Sequence, residues 1–193
     1  VLYVFHDEDL SRLLGKPNKI SDLNSWDIDE LLIETEHKIP RFDRLANTFS
    51  DTVFNVDAKT FEAGVVLVDL INSGKIKNDL CVGSFQHPTV QYMRKNIRKD
   101  VESAFSMKEV LRLFLDRILS KSVGPAGTCL QIPMKYFGIN LVTPGLMNYC
   151  EENKIKVHVW TINDERVMTR LVELGINGIM TDKCRVLLKA LQE

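Results

Sequence analysis

The feature that most constrains this chain is an alternation. Short apolar, β-rich runs take turns with longer runs of helical period along its whole length. The strand candidates are residues 1–5 (VLYVF), 52–59 (TVFNVDAK), 79–85 (DLCVGSF), 101–105 (VESAF), 128–132 (TCLQI), 156–162 (KVHVWTI) and 177–182 (NGIMTD). Helical patterns fall over 64–74, 88–99, 106–121, 145–154, 163–175 and 184–193. Val167, Leu171 and Leu174 carry the three-and-four spacing of one buried helix face. Ser106 with Glu109 is a capping-box pattern. Asn163 or Asp164 suits an N-cap, and Gly175 suits the stop of the same helix. Strands that alternate with helices build a parallel sheet covered by helices. Two architectures satisfy that pattern, an open doubly wound sheet and a closed (β/α)8 barrel. No Gly-rich loop follows any strand, which argues against a nucleotide-binding open sheet. Residues 15–40 are polar and lack a strong strand. They are expected to form a small insertion within a single domain spanning 1–193.

Composition excludes several function classes. A chain of 193 residues with a net charge of −1 has no basic surplus for nucleic acid. No apolar run approaches the ~20 residues of a membrane helix. Cys81, Cys129, Cys150 and Cys184 are scattered, with no Cys-x-x-Cys, so the spacing signals neither a zinc site nor a redox pair. They read as small buried hydrophobes in a reducing, cytoplasmic setting.

Polar groups gather where strands end. The first run ends at His6-Asp7. Asp57 and Lys59 lie two apart, so they project to one face. The third strand ends at Ser84-Phe85, the sixth carries Trp160, and the last ends at Thr181-Asp182. C-terminal strand ends are where barrel enzymes hold their active sites. Each group also has a structural reading. His6-Asp7 suits a turn, Asp57 and Lys59 a rim ion pair, and Trp160 the core. Ser84 suits a structural bond, and Thr181-Asp182 a cap on the last helix. His37 suits a solvated loop, His87 a turn before Pro88, and His158 either the core or the interior beside Trp160.

In order along the chain, these motifs resemble the glycerophosphodiester phosphodiesterase family. YVFHDEDLSR is similar to its H-D-x-x-L-x-R segment, through His6, Asp7, Leu10 and Arg12. KIPRFDRL resembles its I-P-x-L/F-x-x-L segment. FNVDAK resembles N-x-(E/D)-x-K, through Asn55, Asp57 and Lys59. VGSF, VHVWTIND and GINGIMTD resemble the family's S-F, V-x-V-W-T-x-N and G-V-D-G-I-x-T-D signatures.

The resemblance implies a TIM-type (β/α)8 barrel of the phospholipase-C-like phosphodiesterase kind. It implies hydrolysis of a small-molecule glycerophosphodiester to glycerol 3-phosphate and an alcohol, with one divalent cation, Ca2+ or Mg2+. His6 matches the second catalytic histidine, Asp57 a metal ligand, and Lys59 a phosphate contact. Phe85 and Trp160 match pocket walls. Arg12 suits either the pocket mouth or the surface. Most family members carry Glu where Asp57 stands, and Asp is one methylene shorter. The family's H-R-G, E-N-T and E-x-D motifs are expected upstream of Val1. A barrel runs to roughly 250 residues, so the first strands are expected to lie outside this chain, which alone is expected to be inactive. Two other readings stay open, a lysophospholipase D-like diesterase and a silent phosphate-binding relative.

Overall fold

The computed structural model describes residues 1–118 and 127–192. Six parallel strands carry the fold: β1 (Phe54–Asp57), β2 (Leu80–Gly83), β3 (Glu102–Ser103), β4 (Cys129–Pro133), β5 (Lys156–Trp160) and β6 (Gly178–Ile179). β1 pairs with β2 and β2 with β3, while β4 pairs with β5 and β5 with β6. The two triplets meet at one parallel bridge, Ala104 to Cys129. There the Phe105 amide donates to the Cys129 carbonyl at 2.9 Å, and Thr128 donates to Ser103 at 2.7 Å.

The strands therefore run in chain order. A doubly wound sheet reverses its strand order at a switch point, whereas a barrel wall does not, so the topology selects the barrel type. Among the described residues the run does not close on itself, and β1 and β6 are its two ends.

Helices α1 (Phe61–Asn72), α2 (His87–Asn96), α3 (Met107–Ile118), α4 (Pro144–Glu152), α5 (Glu165–Glu173) and α6 (Cys184–Ala190) connect and follow the strands. Local chemistry sets their starts. Thr60, Thr143 and Asp164 each accept an amide hydrogen bond from the first turn of α1, α4 and α5. Of the two N-cap candidates for α5, Asp164 is the one used. The capping box holds, with Glu109 accepting from the Ser106 amide at 2.8 Å.

Strand parity sorts the side chains. In β4 and β5, Leu130, Ile132, Val157 and Val159 are buried against Leu113 of α3, Leu146 of α4, and Met168 and Leu171 of α5. A second core gathers Val82 of β2, Leu67, Val68 and Ile71 of α1, and Met93 of α2. Burying one Leu, Ile or Val contributes about 1.5–3 kcal/mol, so these two cores hold the helices to the sheet. The opposite face of the sheet carries Asn55, Asp57, Gln131, Lys156, His158 and Trp160.

Three expectations need correction, and one helix adds to them. Residues 1–5 do not form a sheet strand. Tyr3 makes an antiparallel bridge to Arg41, and the Val4 amide donates to Pro40 at 2.9 Å. Leu2 packs into the β1–β2 core, while Tyr3 and Phe5 pack onto a small cluster of Leu10, Ile28 and Ile39. Their apolar side chains serve two cores, so the run satisfies its backbone on 40–42 instead. Phe42–Thr48 is a helix that the sequence reading left out. Cys184 is exposed, not buried. His87 is the first residue of α2 and not a turn residue; its Nδ1 lies 2.7 Å from the Ser106 hydroxyl. Residues 119–121 of the expected third helix, and residue 193, lie outside the described residues. Residues 15–40 hold a helix at Ser25–Glu30, capped by Asn24, and a hairpin of Leu32–Ile33 with His37–Lys38.

Candidate active site at the C-terminal strand edge

Asp57 ends β1, and the chain turns so that Lys59 folds back onto it. Lys59 Nζ lies 2.7 Å from Asp57 Oδ2, and both side chains remain partly open to solvent. The turn is braced from β2. The buried Ser84 hydroxyl donates to the Ala58 carbonyl at 2.7 Å and accepts from the Gln86 amide at 3.2 Å, while Gln86 Nε2 donates to the Lys59 carbonyl at 3.2 Å. Ser84 therefore has the structural role that was one of its two readings.

Beside this turn stands an aromatic wall. The ammonium of Lys59 lies 5.9 Å from the Phe85 ring centre. Phe85 in turn meets Trp160 edge to face at 6.5 Å. Phe85 is 58% exposed, so its ring is open to contact from solvent. Trp160 ends β5, and the loop after it is pinned to β6. Asn163 accepts from the Thr181 hydroxyl and from the Asp182 amide, both at 3.0 Å, and donates to Asp182 Oδ2 at 2.9 Å. Thr181-Asp182 thus fixes this loop rather than capping α6 by its carboxylate.

The structure brings Asp57, Lys59, Phe85 and Trp160 into one continuous group. His6 and Arg12 stand on the segment before the insertion, and among the described residues their side-chain hydrogen bonds and ion pairs go to Asp7 and not to that group. His6 is highly exposed, with Nδ1 3.3 Å from Asp7, and Arg12 Nε donates to the other Asp7 oxygen at 2.6 Å. Arg12 and His6 together hold the Asp7 carboxyl below its ordinary range, with Arg12 the larger influence.

A different group lies at the N-terminal ends of the strands on the same sheet face. Cys81 near the start of β2, Glu102 at the start of β3 and Cys129 at the start of β4 bring their ligand atoms within 4.8 Å of one another. Lys156, the first residue of β5, is ion-paired with Glu102. Lys156 is the main influence holding the Glu102 carboxyl below its ordinary range. His158, further along β5, has its imidazole pushed below its ordinary value by burial. A Cβ at Gly178 would come within 2.8 Å of its ring, so any larger residue there would force the imidazole to shift. No sequence spacing flagged this group, because each member comes from a separate strand.

For a hard cation, the C-terminal edge offers the carboxylate of Asp57, which is reachable from solvent. Mg2+ is typically held by one or two carboxylates, substrate phosphate and water, so a single solvent-open carboxylate beside Lys59 fits that chemistry.

Comparison with known proteins identifies the family. The model of the glycerophosphoryl diester phosphodiesterase family matches residues 59–186. A Mycobacterium tuberculosis protein named "Probable glycerophosphodiester phosphodiesterase 2" is 24% identical over 192 residues, covering 97% of this chain and 73% of that protein. A human protein named lysophospholipase D is 23% identical, covering 93% of this chain and 69% of that protein. In structure, an Oleispira antarctica phosphodiesterase solved with the product sn-glycerol-3-phosphate superimposes with a TM-score of 0.78 at 17% identity, covering 99% of this chain and 79% of that one. With the family model matching well over half of its length, the chain belongs to the glycerophosphoryl diester phosphodiesterase family.

Proposed function

We propose that this protein hydrolyses glycerophosphodiesters to glycerol 3-phosphate and an alcohol, with Asp57 holding a divalent cation, Ca2+ or Mg2+. One observation carries the reading: a carboxylate, an ammonium and two aromatic rings form a contiguous, solvent-open group at the C-terminal ends of parallel strands. When bound, the cation neutralises charge on the phosphodiester and polarises a phosphoryl oxygen. Lys59 places a fixed positive charge beside the same phosphate, where negative charge grows in the transition state. Phe85 and Trp160 wall the site against the glycerol or the leaving alcohol. His6, assigned by its match to the family's H-D segment rather than by contact with this group, protonates the departing alkoxide. Arg12, through Asp7, sets the orientation of that imidazole.

The test is glycerol 3-phosphate release from glycerophosphocholine by the intact protein, with Ca2+, Mg2+ or EDTA. Metal-dependent release supports the reading. No release with any metal from folded protein sinks it.

A second reading keeps the chemistry and changes the substrate. After Pro133, at the same edge, a hairpin of Lys135–Tyr136 with Ile139–Asn140 exposes Tyr136, Phe137 and Ile139. Together with the human relative's name, this apolar tip favours a lipid-like diester. Release of choline from lysophosphatidylcholine at a higher kcat/KM than from glycerophosphocholine supports it.

A further inference from the structure

The two halves of the sheet touch through little backbone. β3 is two residues long, and a single bridge joins Ala104 to Cys129. On the face opposite the helices, that seam is covered by one buried patch of Cys81, Ala104 and Cys129. We propose that Cys81, Glu102 and Cys129 form a cation site distinct from the C-terminal edge, for a borderline-soft divalent ion of the Zn2+ class, which fastens β2 to β4 across this seam.

The donor set selects the ion. Two sulfurs and one carboxylate oxygen suit Zn2+, whereas Ca2+ and Mg2+ take oxygen alone. The spacing also suits it. Zn–S bonds of about 2.3 Å put tetrahedral ligand atoms about 3.5–4 Å apart, and the three atoms here lie within 4.8 Å of one another. Small side-chain rotations close that gap.

Surrounding groups already aim the ligands. The two Glu102 oxygens are divided: Oε1 is held by Lys156, and Oε2 accepts from the Cys129 thiol at 3.3 Å. Gln131 Nε2 donates to Cys81 Sγ at 3.6 Å, and the Thr128 hydroxyl lies 3.8 Å from Cys129 Sγ. Donors of this kind orient ligands and stabilise thiolates. The charges balance as well. Binding releases one proton from each thiol, leaving two thiolates, one carboxylate, a dication and the Lys156 ammonium, which sum to zero. An uncompensated charge on two buried sulfurs is costly, and this set leaves none. The fourth coordination position falls to solvent on the Glu102 side, since Glu102 is partly exposed while Cys81 and Cys129 are not.

The first test is a Co2+ titration of the whole reduced protein. The expected result is a thiolate-to-cobalt charge-transfer band that saturates at one equivalent and is displaced by Zn2+. Cys81→Ser and Cys129→Ser each remove the band, and Asp57→Asn keeps it. Lys156→Met weakens affinity by about 10–100-fold, because it frees the carboxylate it orients. One equivalent of Zn2+ raises the unfolding midpoint of the wild type. If the serine variants fail to fold, the wild-type spectrum still reports sulfur ligation, and Glu102→Gln supplies the weakened site. Three results overturn the proposal: no charge-transfer band in folded wild type, a band surviving in both serine variants, or a band lost in Asp57→Asn.

Discussion

The two ends of one sheet face make opposite use of the same strands. At the C-terminal ends, Asp57, Lys59, Phe85 and Trp160 are polar or aromatic, open to solvent, and set on turns. At the N-terminal ends, Cys81, Glu102, Cys129 and Lys156 are packed within strands, with both sulfurs buried. A carboxylate and an ammonium facing water can meet a substrate and exchange partners. A thiol pair under a seam can hold only something small that stays. The difference teaches that position along a parallel strand, and not residue chemistry alone, decides which groups meet solvent and which stay packed.

Substitutions can break or sharpen that division. The largest expected effect is His6→Ala, a loss in kcat on the order of 1,000-fold without a change in unfolding midpoint. Retained kcat would remove His6 from the chemistry and leave the C-terminal edge to act alone. Next is Arg94→Met on the helix side of the same seam. Arg94 bonds Glu109, the Ser103 hydroxyl and the Ala104 carbonyl at once. Removing it leaves a half-buried carboxylate without its countercharge and costs about 3 kcal/mol by urea unfolding. The same pair sets a pH dependence. Burial opposes the Glu109 charge, but Arg94 and the Ser106 amide outweigh it and hold the carboxyl below its ordinary value of 4.5. The unfolded chain therefore takes up a proton first. The stability from Glu109 is complete above about pH 4.5 and is lost as pH falls through the folded value. In Arg94→Met that part of the acid slope disappears.

Lys59→Met comes third, with kcat/KM down about 100-fold and stability held. Trp160→Ala follows, raising KM about tenfold with a smaller change in kcat, as expected for a wall that binds substrate and transition state alike. The smallest is Lys156→Met without added metal. Its pair with Glu102 is about half exposed, so stability falls by less than about 1 kcal/mol.

Much of this was legible in the sequence because it is local. Alternating runs predict the strands β1 to β6, and strand-end positions pick out Asp57, Lys59, Phe85 and Trp160. The choice between barrel and open sheet was not local. It rests on strand order, which only the pairing of β1 to β6 reveals. Residues 1–5 misled because an apolar run looks alike whether it pairs in a sheet or, as here, divides Leu2, Tyr3 and Phe5 between two cores. The sulfur group was invisible for the same reason. Glu102 and Cys129 are 27 residues apart and meet only because β3 lies beside β4.

The central claim is that the open C-terminal edge carries the chemistry through Asp57. The most direct measurement is glycerol 3-phosphate release by Asp57→Asn against wild type in the intact protein, across a Ca2+ and Mg2+ titration, with unfolding midpoints recorded for both. A loss on the order of 1,000-fold is expected at every metal concentration, with the midpoint unchanged. Wild-type turnover with an unaltered metal dependence in Asp57→Asn would contradict it and move the metal away from β1.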